Sequence, residues 1–308
     1  MGWRGMRSRS PRWWRSPLAA TLTLGTIVAG SGTLTGLQAV LAPPAAASGS
    51  VSSCSGPDGL GYWQVASDGG VFSYGTASFF GSMGGQHLNQ PVVGMAPSVD
   101  GRGYWLVASD GGVFSFGDAP FEGSAGAIRL NQPVVGMVPT VNGQGYWLVA
   151  ADGGVFAYGN ATYLGSTGGI RLNRPVVGIA STKDGRGYWL AASDGGVFTF
   201  GNATFHGSLG NRRLNSPVGG ISATRNANGY RLTAGDGGVF DFGDAVFDGS
   251  MGGQHLNQPV VGIAGTFFGN GYTLSAADGG VFTFGDSAFC GSAGNLTLNR
   301  PVVGSAFF

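Results

Sequence analysis

An all-β ring of six like sheets is the fold this sequence predicts, and three observations carry that expectation. From Gly61 the chain repeats with a step of 42 residues, restarting at Gly103, Gly145, Gly187, Gly229 and Gly271 with no insertion or deletion. A fixed step of this length belongs to solenoids, propellers or arrays. Each copy holds short runs rich in aromatic and β-branched residues, punctuated by glycine and aspartate, and none has a helical period; 61 glycines are too many for helices. Finally, the chain ends at Phe308 on a Pro-Val-Val-Gly run that opens a unit with nothing after it, while the segment before Gly61 lacks that run.

Taken in order, each copy reads as four strands. Strand a is the Pro-Val-Val-Gly run, Pro91 to Pro97 in its first full form, and strand b is GYWLVAS, Gly103 to Ser109. Asp-Gly-Gly joins b to c in every copy, led by Asp68, Asp110, Asp152, Asp194, Asp236 and Asp278. These aspartates are expected to form the turn, with glycine supplying the positive φ of a primed hairpin. Strand c is Val113 to Phe116, and a short strand d falls around Phe121 to Ser124. Four strands in 42 residues make one propeller blade. The surplus strand a at the C-terminus fills the deficit at the start, so the expectation is a six-bladed β-propeller closed by its C-terminal strand, which removes exposed edges. The rival is a truncated piece of a longer array.

The stretch VVGMAPSVDGRGYWLVASDGGVFSFGDA, from Val92 on, resembles the WD-repeat pattern, with Phe-Gly or Tyr-Gly where that pattern has Trp-Asp. Asp68 to Phe72 is similar to a degenerate sialidase Asp-box. Gly61 to Phe308 as a whole resembles the secreted Gly-Tyr-Trp/Asp-Gly-Gly-Val-Phe repeat proteins of actinobacteria. That resemblance implies an extracellular protein, since such repeats often stand beside cell-wall or hydrolase domains.

Residues 1–47 read as a signal peptide: five arginines from Arg4 to Arg15, an apolar run from Pro17 to Leu41, and Ala45-Ala46-Ala47 for cleavage after Ala47. The apolar run is also long enough to serve as an uncleaved anchor. Residues 48–60 form an N-terminal segment and 61–308 the propeller. Cys54 and Cys290 are the only cysteines, an even count that in an exported chain predicts a disulfide between the two ends of the ring. Val51-Ser52-Ser53-Cys54 has the look of a lipobox but lies too far past the apolar run.

Without the five leader arginines, 11 Lys and Arg oppose 15 Asp and Glu, a net charge of about −4 that argues against nucleic acid as the partner. No metal-ligand spacing, nucleophile elbow or phosphate loop is present, so neither a metal nor a cofactor is expected. Calcium would need six to eight converging oxygens, and one aspartate per blade does not supply them. Trp63, Trp105, Trp147 and Trp189 could stack on sugars, but core packing is the favoured reading. Glu122 and Asp248 lie three blades apart, which leaves a two-carboxylate glycosidase without its pair.

One constellation remains. His87, Arg129, Arg171, Arg213 and His255, with Thr297 completing the set, recur in the d-to-a loop, and Arg212 and Arg174 lie near them. The favoured expectation is that each cation ties to a turn aspartate; the rival is that the circle binds an anionic polymer such as a teichoic acid or acidic glycan. The chain is thus expected to be a secreted, monomeric, non-catalytic binding or scaffolding module, free of the membrane after cleavage. Its partner would be a cell-wall or extracellular glycan or another protein. The alternative is a propeller-fold polysaccharide hydrolase or lyase with its site in the loops, but no blade carries an insertion.

Overall fold

The computed structural model describes Cys54 and residues 61–307, all of them without helix, so no helix there could cross a membrane. The predicted signal peptide lies outside the described residues. The first blade contributes β1 (Tyr62–Ala66) and β2 (Val71–Tyr74). Then come β3 (Val92–Pro97), β4 (Gly103–Ala108) and β5 (Val113–Gly117), followed by β6 (Val134–Pro139), β7 (Gly145–Ala150) and β8 (Val155–Gly159). The fourth and fifth triplets are β9 (Val176–Ser181), β10 (Gly187–Ala192), β11 (Val197–Gly201) and β12 (Val218–Ala223), β13 (Gly229–Ala234), β14 (Val239–Gly243). The last strands are β15 (Val260–Gly265), β16 (Gly271–Ala276), β17 (Val281–Gly285) and β18 (Val302–Phe307).

These strands make six three-stranded antiparallel sheets, five of consecutive strands and one of order β18-β1-β2. The C-terminal strand thus completes the first blade, with Tyr62 opposite Phe307 and Trp63 opposite Ala306. Each inner strand lies beside that of the next blade, from β3 through β6, β9, β12 and β15 to β18 and back to β3. The protein is a six-bladed β-propeller.

The middle strands are buried along their whole length, because both faces of a blade are covered by neighbours. Alternation then divides one strand between two interfaces. Tyr104 and Leu106 pack toward Trp63 and Val65 of the first blade, while Trp105 and Val107 pack toward Tyr146 and Leu148 of the third. The inner strands line a central channel with Val-Gly-Met or Val-Gly-Ile triplets in four blades, Gly219-Gly220-Ile221 in the fifth and Val303-Gly304-Ser305 in the first, and hold no charged side chain there.

Two expectations need correction. The b-to-c turn is not a primed turn. Gly69 is at φ 77° and donates its N–H to Ala66 O, while Asp68 keeps a negative φ, so this is a type I turn followed by a glycine bulge. A β-carbon on Gly69 would also meet Met83 Cβ at 2.5 Å, because the d-to-a loop crosses directly over the turn. The fourth strand, in turn, joins no ladder. Around Phe121 to Ser124 the chain runs without strand pairing, since its peptide groups bond to side chains instead.

Candidate functional site

Two surfaces repeat around the ring. The first is the face that carries both the Asp-Gly-Gly turns and the d-to-a loops, tied together by bonds such as Met83 N–H to Gly69 O and Ala125 N–H to Gly111 O. His87, Arg129, Arg171, Arg213 and His255 all lie exposed in these loops at one repeat position, and Arg212, Arg174 and Arg300 are exposed on the same loops. The expected ties to the turn aspartates are absent among the described residues: no ion pair joins a loop cation to Asp68 or its equivalents. Each aspartate turns Oδ1 onto its own loop, accepting the N–H two residues on at 2.9–3.0 Å (Gly70, Gly112, Gly154, Gly196, Gly238, Gly280). That is an Asx turn.

The second surface is the rim formed by the unpaired d segments. Within a blade the tryptophan indole N–H donates to the carbonyl 15 residues on: Trp63 to Ser78, Trp105 to Pro120, Trp147 to Thr162 and Trp189 to Thr204, at 2.7–2.8 Å. From the next blade a tyrosine hydroxyl closes the other side. Tyr146 accepts from Glu122 N–H at 3.2 Å and donates to Gly123 O, and Tyr104, Tyr188 and Tyr230 act alike. Tyr62 does the same to Cys290 and Gly291 across the ring junction. Burial pushes its phenol up to about 12, against the pull of those two backbone bonds. The glycine bonded there, at φ 125–135° in every blade, leaves room for the next blade's strand-c aromatic; a β-carbon on Gly123 would meet Tyr158 at 2.5 Å. The four tryptophans are therefore core residues, none more than 1% exposed, and offer no sugar platform.

What these bonds hold in place was not apparent from the sequence. In each d segment, between two such anchored peptides in the first four blades, stands an exposed aromatic: Phe79, Phe121, Tyr163, Phe205, Phe247 or Phe289, each 56–61% accessible. The signal was available, since aligning the copies puts an aromatic at that position in six of six.

The fifth blade carries one charged exception. Arg231, 2% exposed, stands where the first four blades have tryptophan. Its Nη2 donates to Val246 O at 3.3 Å, 15 residues on, and its guanidinium lies 4.9 Å from the Tyr272 ring, so it takes over both tasks of the indole. Asp241, opposite it in strand c, approaches at 3.2 Å, and Asp248 at 4.0 Å. Burial raises the Asp241 carboxyl above its usual range; Arg231 pulls it down and Asp248 pushes it up. This group is a structural substitute, and the repeat-aligned change to Arg231 where four copies have Trp, together with Asp241 where the others have Ser, Ala or Thr, announces it.

Cys54 and Cys290 form a disulfide. His206 lies in a d segment, its ring 5.8 Å from Tyr230, away from the loop cations. Glu122 occupies the matching position two blades earlier. Among the described residues no three His, Cys, Asp or Glu side chains gather as metal ligands. A scan against protein-family models and a search of the curated proteins return no match to this chain.

Proposed function

We propose that this chain is an exported, non-catalytic propeller that captures an anionic extracellular polymer at the cell envelope. The observation that carries the reading is the circle of exposed loop cations, Arg129, Arg171 and Arg213 with His87 and His255, none of which forms an ion pair among the described residues. Several unpaired cations at fixed spacing suit a repeating polyanion, since linked contacts multiply affinity without any one being strong. The leader-like residues 1–47, the disulfide and the resemblance to secreted actinobacterial repeat proteins support the location.

The rival glycoside hydrolase needs two carboxylates on either side of a substrate bond. Asp241 and Asp248 do converge, but on a buried arginine that fills the place of a tryptophan. The test is the triple variant Arg129→Ala, Arg171→Ala, Arg213→Ala, with purified wall teichoic acid as probe. The reading expects melting within a degree or two of the parent, capture reduced at least tenfold, and parental capture that weakens as salt is raised. Undiminished capture by the variant, or capture insensitive to salt, contradicts it.

A further inference from the structure

We propose that the six rim aromatics are six equivalent stacking sites for the pyranose rings of a neutral polysaccharide. An isolated exposed aromatic needs no explanation. Here, however, the same position is Phe79, Phe121, Tyr163, Phe205, Phe247 and Phe289, while the half-buried residue directly after it is Phe80, Glu122, Leu164, His206, Asp248 or Cys290. Packing constrains the position facing the next blade so little that six different chemistries occupy it. The position facing solvent never loses its ring. The usual ordering of constraint, tight inside and loose outside, is inverted at these two neighbours, and a ligand for the outer ring accounts for that inversion.

The backbone is also prepared for such a ligand. The carbonyl before each ring in the first four blades is held by a buried indole N–H, and in the fifth by Arg231. The N–H after it, where the bond is resolved, is held by a buried tyrosine hydroxyl from the next blade. An aromatic fixed on both flanks loses little freedom on binding, so more of each contact appears as affinity. A serine stands three residues after every ring, and Tyr163 Oη reaches Ser166 Oγ at 3.2 Å, which places a hydroxyl at the edge of the ring plane. A flat apolar face with a hydroxyl at its rim matches a sugar ring, whose C–H face is apolar and whose edge is polar. The ligand is neutral because the adjoining residues, Phe80, Glu122, Leu164, His206, Asp248 and Cys290, carry no charge that recurs around the ring, and none of them is a lysine or arginine that would hold an anion.

This site is separate from the cationic loops and does not depend on them. The experiment is retention of the full mature chain on cellulose, chitin and starch at about 1 M salt, where charge contacts are screened to a few ångströms. The variant Phe121→Ala, Tyr163→Ala, Phe205→Ala is run beside Phe121→Tyr, Phe205→Tyr, with melting recorded for each. The proposal expects retention on at least one polymer, lost roughly tenfold or more in the alanine variant, kept in the tyrosine variant, and no change in melting. No retention of the parent on any of the three, or equal retention of the alanine variant, overturns it. A parent that sediments as an oligomer which the alanine variant abolishes also overturns it, because a second copy is then the occupant.

Discussion

The junction between the second and third blades and that between the sixth and first share one register but use opposite chemistry. At the former, Trp105, Val107, Met137, Tyr146 and Leu148 form an apolar cluster. At the latter, the positions of Trp105, Val107, Met137 and Leu148 hold Thr273, Ser275, Ser305 and Gln64. Thr273 pairs with Ser287 at 2.7 Å and Ser275 with Ser305 at 2.9 Å, while Gln64 donates to Gly279 O and accepts from Ala293 N–H. Where the second blade anchors its d segment with an indole, the sixth has Cys290 bonded to Cys54. Common to both are the tyrosine hydroxyl bridge and the glycine that receives the next blade's aromatic ring. Backbone geometry therefore sets the ring, and the filling between blades can change if the outer segment stays tied. The fifth blade makes the same point with a guanidinium.

Substitution is the sharpest way to break this comparison. Trp105→Ala removes a buried indole and its bond to Pro120 O, for an expected loss of about 3–5 kcal/mol. Thr273→Ala, at the matching position, removes only a hydroxyl pairing, about 1 kcal/mol. Chemical denaturation measures both; equal losses would mean that the two junctions are held alike. Next comes the disulfide. Cys54→Ser with Cys290→Ser should cost about 2–5 kcal/mol, toward the upper end because the bridge spans 236 residues. Partial unfolding should then begin at β1, β18 and the sixth blade rather than at the second and third.

The smallest effect concerns pH. The folded carboxyl of Asp241 is raised, so the native chain takes up this proton before the unfolded one does. Its contribution to stability is thus present below the ordinary aspartate range and lost as pH rises through the raised folded value. Melting of the parent, followed across the mildly acidic range, should carry this falling component, and Asp241→Asn should lack it. Parallel pH profiles for the two proteins would refute the raised carboxyl.

The sequence made the blade count, the strand positions a to c, the role of the C-terminal strand and the cysteine pairing legible, because each follows from a repeat step or a count. Strand d was misread for a physical reason. Phe121 to Ser124 has strand-like composition, but its backbone partners are an indole and a phenol from other strands, which no local pattern reveals. The loop cations were found by alignment, yet their expected tie to aspartate is absent among the described residues, because a shared repeat position does not set side-chain reach across two loops. The rim aromatics were read only as part of the expected strand d, and their exposure is set by the tertiary anchoring of that segment.

Native-state hydrogen exchange across β18 tests the central claim, a ring closed by its last strand, most directly. The account predicts that amides of Val302 to Phe307 in the oxidised protein are protected to the same order as those of Val134 to Pro139, and that reducing the disulfide lowers protection in β18 first. Exchange of the β18 amides at the rate of free peptide, while β6 remains protected, would show an open ring and contradict the account.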